Sequence, residues 1–301
     1  MCGIVGLFAK SPGIEKQLGE HLAAMLVQMS SRGPDSAGVA VYRDPAPSGS
    51  SKLTLYSADP REQWEAVRDQ LRDAFGTCEE PSVRASHAVF VVAVEAADAE
   101  TWVSEHRPDL RVMSAGAVIE IYKETGLPEE FARAFHLEDF RGTHALGHTR
   151  MATESRVTTE GSHPFSTGLD LCLVHNGSLS NHNRLRENLR REGIEFQTEN
   201  DTEVAAGYLA WRLREGASLE QALEGCLDDL DGFYTFAIGT ADGFAVLRDP
   251  IACKPAVLAE TDDWVAMSSE WRAIAGLPGA ADAEAWEPEP GVVYAWEKAL
   301  V

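Results

Sequence analysis

Short apolar runs dominate both ends of the chain, and the middle third mixes them with residues recurring at three- and four-residue spacing. The first run, residues 4–8, reads as a buried strand. Residues 14–31 carry Leu18, Leu22, Met25, Leu26 and Met29 on one helical stripe. Arg32-Gly33-Pro34-Asp35 stops that helix, because glycine and proline together break helical geometry. A second strand is expected over 37–42, followed by a loop rich in proline, serine and glycine over 44–51.

A distinct block is then expected over 53–137, read as a β-α-β subdomain inserted into a larger fold. Its helix, 61–75, places Trp64, Val67, Leu71 and Phe75 at helical spacing. Residues 83–94 and 110–123 read as strands, the second bent near Gly116. Short buried strands are predicted over 145–149 and 171–175, and helices over 181–191, 202–214 and 218–230. Ser218 and Gln221 have the spacing of a capping box. From Phe233 onward, short strands alternate with Asp-Gly, Asp-Pro and Lys-Pro turns. Strands and helices do not alternate strictly, so the expected class is α+β with antiparallel sheets in a single domain over 1–301.

Charge narrows the partners. The 26 Lys and Arg against 48 Asp and Glu leave a net charge of −22, which repels phosphate backbones and argues against nucleic acid. The longest apolar run, 88–94, is far too short for a membrane span. The apolar start lacks the basic region of a signal peptide. Five cysteines, at 2, 78, 172, 226 and 253, include no CxxC pair, which fits reduced thiols and a cytoplasmic protein.

Cys2 is the residue with the most distinctive chemistry. Loss of Met1 leaves a thiol and an α-amine on one residue, and an α-amine titrates near ~8. Such an amine serves as general base for its own side chain. Met1-Cys2-Gly3-Ile4-Val5-Gly6 alone is weak evidence, since a buried cysteine is the commoner explanation. Four further segments add to it: Arg32-Gly33-Pro34-Asp35-Ser36-Ala37-Gly38, Gly147-His148-Thr149-Arg150-Met151-Ala152-Thr153, His175-Asn176-Gly177 and Asn200-Asp201-Thr202-Glu203. In this order they resemble the motifs of the class II glutamine amidotransferases, which are N-terminal nucleophile hydrolases.

The resemblance implies a four-layer αββα sandwich of two antiparallel sheets, with glutamine as substrate and Cys2 as nucleophile. It implies that Asn176 and Gly177 stabilise the oxyanion. Arg150 is suited to the substrate carboxylate by its planar fork, and Asp201 to the ammonium, with a helix cap as its competing role. Arg32 is expected to organise the loop around Cys2, Asp35 to serve as a turn or cap, and Thr153 and His163 to line the pocket. Met151 and Glu154 stand where relatives carry an aromatic residue and a histidine, a departure in the pocket wall. The pair His144 and His148 has the spacing of a helical metal site, but the segment reads as a strand, so no metal is expected.

The chain contains no ATP-pyrophosphatase loop, phosphoribosyltransferase acidic pair or dinucleotide fingerprint. The ammonia acceptor is therefore expected on another polypeptide. The resemblance extends to amidotransferase subunits of glutamate-synthase-like systems such as N-methylglutamate synthase. Partner chains there supply a flavin-bearing synthase barrel and a β-helical domain. No cofactor is expected in this chain; FMN or iron–sulfur groups would belong to those partners. Two other readings stand beside this one: a stand-alone γ-glutamyl amide hydrolase, and a catalytically silent scaffold.

Overall fold

The computed structural model describes residues 2–152 and 156–298. Strand β1 (Gly3–Ala9) leads into α1 (Pro12–Lys16) and α2 (Leu18–Gln28). These two are separate helices where the apolar stripe predicts one, and Gly19 N–H donates to the remote Phe140 carbonyl at the junction. Next come β2 (Ser36–Tyr42), β3 (Ser51–Tyr56), α3 (Trp64–Phe75), β4 (Ser82–Arg84), β5 (His87–Val92), α4 (Ala96–His106) and β6 (Arg111–Gly116). They are followed by β7 (Ile119–Thr125), α5 (Pro128–Ala134), β8 (His144–Arg150), β9 (Phe165–Gly168) and β10 (Leu171–Leu179). Helices α6 (His182–Arg191), α7 (Asp201–Arg214) and α8 (Leu219–Asp229) come next, and the Ser218–Gln221 capping box is formed. The remaining elements are β11 (Gly232–Gly239), β12 (Gly243–Arg248), β13 (Val257–Glu260), β14 (Trp264–Ser268), α9 (Trp271–Ile274), β15 (Glu284–Trp286) and β16 (Val293–Glu297).

Two antiparallel sheets make the main body. One has seven strands in the order β15-β13-β14-β1-β8-β2-β7, the other five in the order β16-β12-β11-β10-β9. Ile4, Phe8, Leu146, Val174, Phe244 and Met267 fill the layer between the sheets. The opposite face of the seven-stranded sheet carries Val5, Leu7, Val39 and Val41 against Leu22, Met25 and Leu26 of α2. The outer face of the five-stranded sheet carries Leu173 and Phe236 against Val204, Leu209 and Leu223 of α7 and α8. The layers are therefore helix, sheet, sheet, helix. Among the described residues no helix is long and apolar enough to cross a membrane.

The insertion differs from its expected form. A third sheet, β4-β5-β3-β6, is antiparallel throughout and carries α3 and α4, giving β-α-β-β-α-β rather than β-α-β. The stretch expected as one strand over 83–94 is split at Ala85, which has a left-handed φ of 49°. The stretch expected as one bent strand over 110–123 is two strands in two different sheets. Asp170 organises this change of sheet by accepting from the backbone N–H groups of Ala117, Val118 and Ile119 at 2.7, 2.9 and 3.0 Å. Strand β7 then pairs with β2 along its whole length, and α5 joins the helical layer over α2. The third sheet thus occupies 51–116, and the stretch from 119 to 137 belongs with the seven-stranded sheet and its helices.

A buried ion pair ties the two parts together. Lys52 on β3 reaches Glu120 on β7 at 3.0 Å, both side chains being almost wholly inaccessible. Tyr122 donates its hydroxyl to the same carboxylate at 2.9 Å, and Arg43 lies 3.6 Å away. Removing one member of a buried pair strands the other without solvent. Lys52→Met is expected to lower the unfolding free energy by about 3 kcal/mol in urea titration.

Candidate active site

Alternation along three strands places the candidate residues. On β1 the even positions, Ile4, Gly6 and Phe8, face the layer between the sheets, so Cys2 is in phase with that face. On β8 the same face carries His144, Leu146, His148 and Arg150, while Ala145 and Thr149 face α2. On β10, Cys172 and Val174 point between the sheets and Leu173 toward α7, which puts Asn176 on the inner face and His175 on the outer. Strands β1 and β8 are paired, with Gly3 opposite Thr149.

Cys2 is half-buried, and its thiol points at the Met151 carbonyl, 3.9 Å away. Its own carbonyl accepts two hydrogen bonds, from Arg32 Nε at 2.9 Å and from the Asn176 side-chain amide at 3.2 Å. Arg32 is held in turn by Glu270 at 2.6 Å. Gly33 allows this loop to lie on β8: a Cβ there would come within 2.3 Å of the Thr149 backbone. Asp35 also braces β8, donating its N–H to the Arg150 carbonyl at 3.0 Å and accepting from Ala152 N–H at 2.8 Å.

Arg150 is buried, and one of its guanidinium nitrogens donates to the Arg156 carbonyl at 3.1 Å. Burial pushes its pKa down, and the nearby Cys2, Asp35 and Asp201 oppose that shift; the group stays charged. Asp201 is the first residue of α7 rather than its cap. Asn200 is the cap, accepting from Thr202 N–H at 2.9 Å. One Asp201 oxygen accepts from Leu179 N–H at 2.9 Å, which fixes the carboxylate beside the end of β10. Gly177 leaves room where a Cβ would lie 2.0 Å from the Phe233 carbonyl. Cys2, Asn176, Arg150 and Asp201 thus gather at one end of the seam between the sheets: a thiol, an amide donor, a planar cation and an anion.

His163 is buried, its ring stacked on His148 at 4.0 Å and its Nε2 facing the Thr202 hydroxyl at 3.3 Å. His148 Nε2 bonds the His175 carbonyl at 3.0 Å, and His175 Nδ1 faces the Thr202 hydroxyl at 3.0 Å. This histidine cluster supports β10 and the start of α7 from within. Thr153 and Glu154 lie outside the described residues. His144 bonds the Thr240 carbonyl, so it and His148 serve different strands, and no group of metal-ligating side chains occurs among the described residues. Sequence reading passed over Glu270 and the loop that holds Arg150. Glu270 lies 238 residues from its partner Arg32, so no local pattern marks it.

Burial pushes His87, His144 and His148 from 6.5 to about 3. The folded protein therefore binds fewer protons than the unfolded chain at mildly acidic pH. The stabilisation is complete above the ordinary histidine value and is lost as pH falls towards 3. From pH 7 to pH 5, urea unfolding is expected to show a loss of ~2 kcal/mol per histidine. In His148→Asn the dependence is expected to be shallower by one proton, ~1.4 kcal/mol per pH unit.

Comparison with known proteins bears on the family and the fold. Residues 148–276 match a glutamine amidotransferase domain family. The chain is 54% identical over 298 residues to the glutamine amidotransferase-like protein GlxB of Rhizobium meliloti, covering 99% of this chain and 98% of that protein. It is 32% identical over 312 residues to a putative glutamine amidotransferase of Methanothermobacter thermautotrophicus, covering 99% and 100% respectively. In fold it is similar to the glutamine phosphoribosylpyrophosphate amidotransferase of B. subtilis, with a TM-score of 0.62, 22% identity, and coverage of 98% of this chain and 47% of that one. With sequence similarity along its whole length and the αββα fold of N-terminal nucleophile hydrolases, the chain belongs to the class II glutamine amidotransferases.

Proposed function

We propose that Cys2, freed of Met1, hydrolyses the γ-amide of glutamine and that the ammonia passes to a synthase subunit. The observation that carries this reading is the meeting of Cys2, Asn176, Arg150 and Asp201 at one end of the inter-sheet seam. The α-amine of Cys2 takes the thiol proton, and the thiolate attacks the carbonyl carbon of the γ-amide of glutamine. The carbonyl oxygen becomes an oxyanion facing the Asn176 amide and the Gly177 N–H. The C–N bond breaks, and ammonia leaves with a proton from the α-ammonium. Water then cleaves the thioester, giving glutamate and the free thiol. Arg150 pairs with the substrate carboxylate and Asp201 with its ammonium, and Arg32 holds the Cys2 carbonyl in place. Thr153 belongs to the same segment by sequence.

The acceptor is a partner of the glutamate synthase type, N-methylglutamate synthase included, with a flavin-bearing barrel and a β-helical domain as separate chains. Such an assembly would be cytoplasmic. It rests on the resemblance of the motifs and on the absence of recognisable acceptor motifs in this sequence.

Four measurements test the reading. Intact mass is expected to show that methionine has been lost. Cys2→Ala is expected to abolish glutamate release from glutamine in the presence of partner chains, and full activity in that variant would reject the mechanism. Asn176→Ala is expected to lower kcat by about 10²–10³-fold. Native mass spectrometry of the complex purified from its source is expected to show two further subunits, one carrying flavin; a lone chain with full activity on a bulky γ-glutamyl amide would favour the stand-alone hydrolase.

A further inference from the structure

We infer that the inserted sheet acts on glutamine binding through a hydrogen-bond brace, Ser86 to Glu124 to Thr159, that positions Arg150. The inference rests on the proposed role of Arg150 and deepens it. Residues 156–164 lie between the insertion and the candidate site. On the site side, Arg156 gives its carbonyl to the Arg150 guanidinium at 3.1 Å, and Gly161 gives its carbonyl to the side chain of the α7 cap, Asn200, at 3.5 Å.

The other side of this segment is held by β7 and the insertion. Lys123 is buried and donates to the carbonyls of Glu160, Ser162 and Pro164 at 3.1, 2.9 and 3.2 Å. Thr159, also buried, donates its hydroxyl to Glu124. The other Glu124 oxygen accepts from Ser86 at 2.8 Å. Ser86 belongs to the inserted sheet, in the β4–β5 turn. Lys123 alone would fix three carbonyls to the main sheet. Glu124 and Thr159 add the insertion, so a shift of that sheet is transmitted to the segment against which the guanidinium leans. Thr159, Glu124 and Ser86 are positioning residues, since none of them reaches the Cys2 thiol.

Thr159→Val preserves shape and removes the hydroxyl, and Thr159→Ser restores it. Both are compared with wild type in the assembled enzyme. In Thr159→Val, the backbone amides of 156–164 are expected to exchange hydrogen about tenfold faster, with the remaining amides unchanged. The KM for glutamine is expected to rise about tenfold, with kcat within about twofold of wild type. Alkylation of Cys2 by iodoacetamide is expected to keep its rate, and Thr159→Ser to behave as wild type. Unchanged exchange in 156–164, an unchanged KM, or a fall in kcat alone would overturn the inference. If the wild-type enzyme hydrolyses no glutamine, the functional reading falls separately, and the exchange measurement still decides whether the brace exists.

Discussion

The side-chain alternation of β1, β8 and β10 is the constraint on which the rest depends. A strand sends neighbouring side chains to opposite faces, so one residue of slip would exchange the core and outer sets. Here that alternation does two jobs at once. It packs Ile4, Leu146 and Val174 between the sheets, and the same phase carries Arg150 and Asn176 to the seam's end beside Cys2. The register is held from outside by Val5, Leu7 and Ala145 against the helical layer. Any loss of that packing would therefore move the candidate site together with the core.

Around the strand ends, the loops supply polar contacts that the strands leave open. The Cys2 carbonyl is claimed by Arg32 and Asn176, and Arg32 by Glu270. The Asp201 carboxylate is fixed by a backbone N–H of β10, while histidines that remain neutral fill the space behind it. Buried neutral imidazoles suit that position, because they accept and donate hydrogen bonds without adding charge beside Arg150. The cost is sensitivity to acid, since the unfolded chain takes up protons that the folded one excludes.

Two of the polar links that join the insertion to the main body are Lys52 with Glu120, and Ser86 with Glu124 and Thr159. Both reach β7, the edge strand of the seven-stranded sheet. That strand stands next to the segment packed on Arg150. An insertion attached there, rather than at the opposite edge, is mechanically close to the glutamine end of the site.

By itself the sequence determined the class and pointed to the candidate site residues. Short apolar runs marked β1, β2 and β8, helical spacing marked α2 and α3, a capping box marked α8, and the ordered motifs named Cys2, Arg150, Asn176 and Asp201. These signals are local: a period, a cap, or a short run of residues. Only the tertiary structure decided what depends on distant partners. Asp170 sends β6 and β7 into different sheets from some fifty residues away, which no strand pattern around Gly116 encodes. Asn200 rather than Asp201 caps α7, which leaves the Asp201 carboxylate to the end of β10. His163 stacks on His148 and faces the Thr202 hydroxyl at the start of α7. In each case the deciding interaction is a hydrogen bond or ring contact made by chain segments that meet only once the sheets have packed.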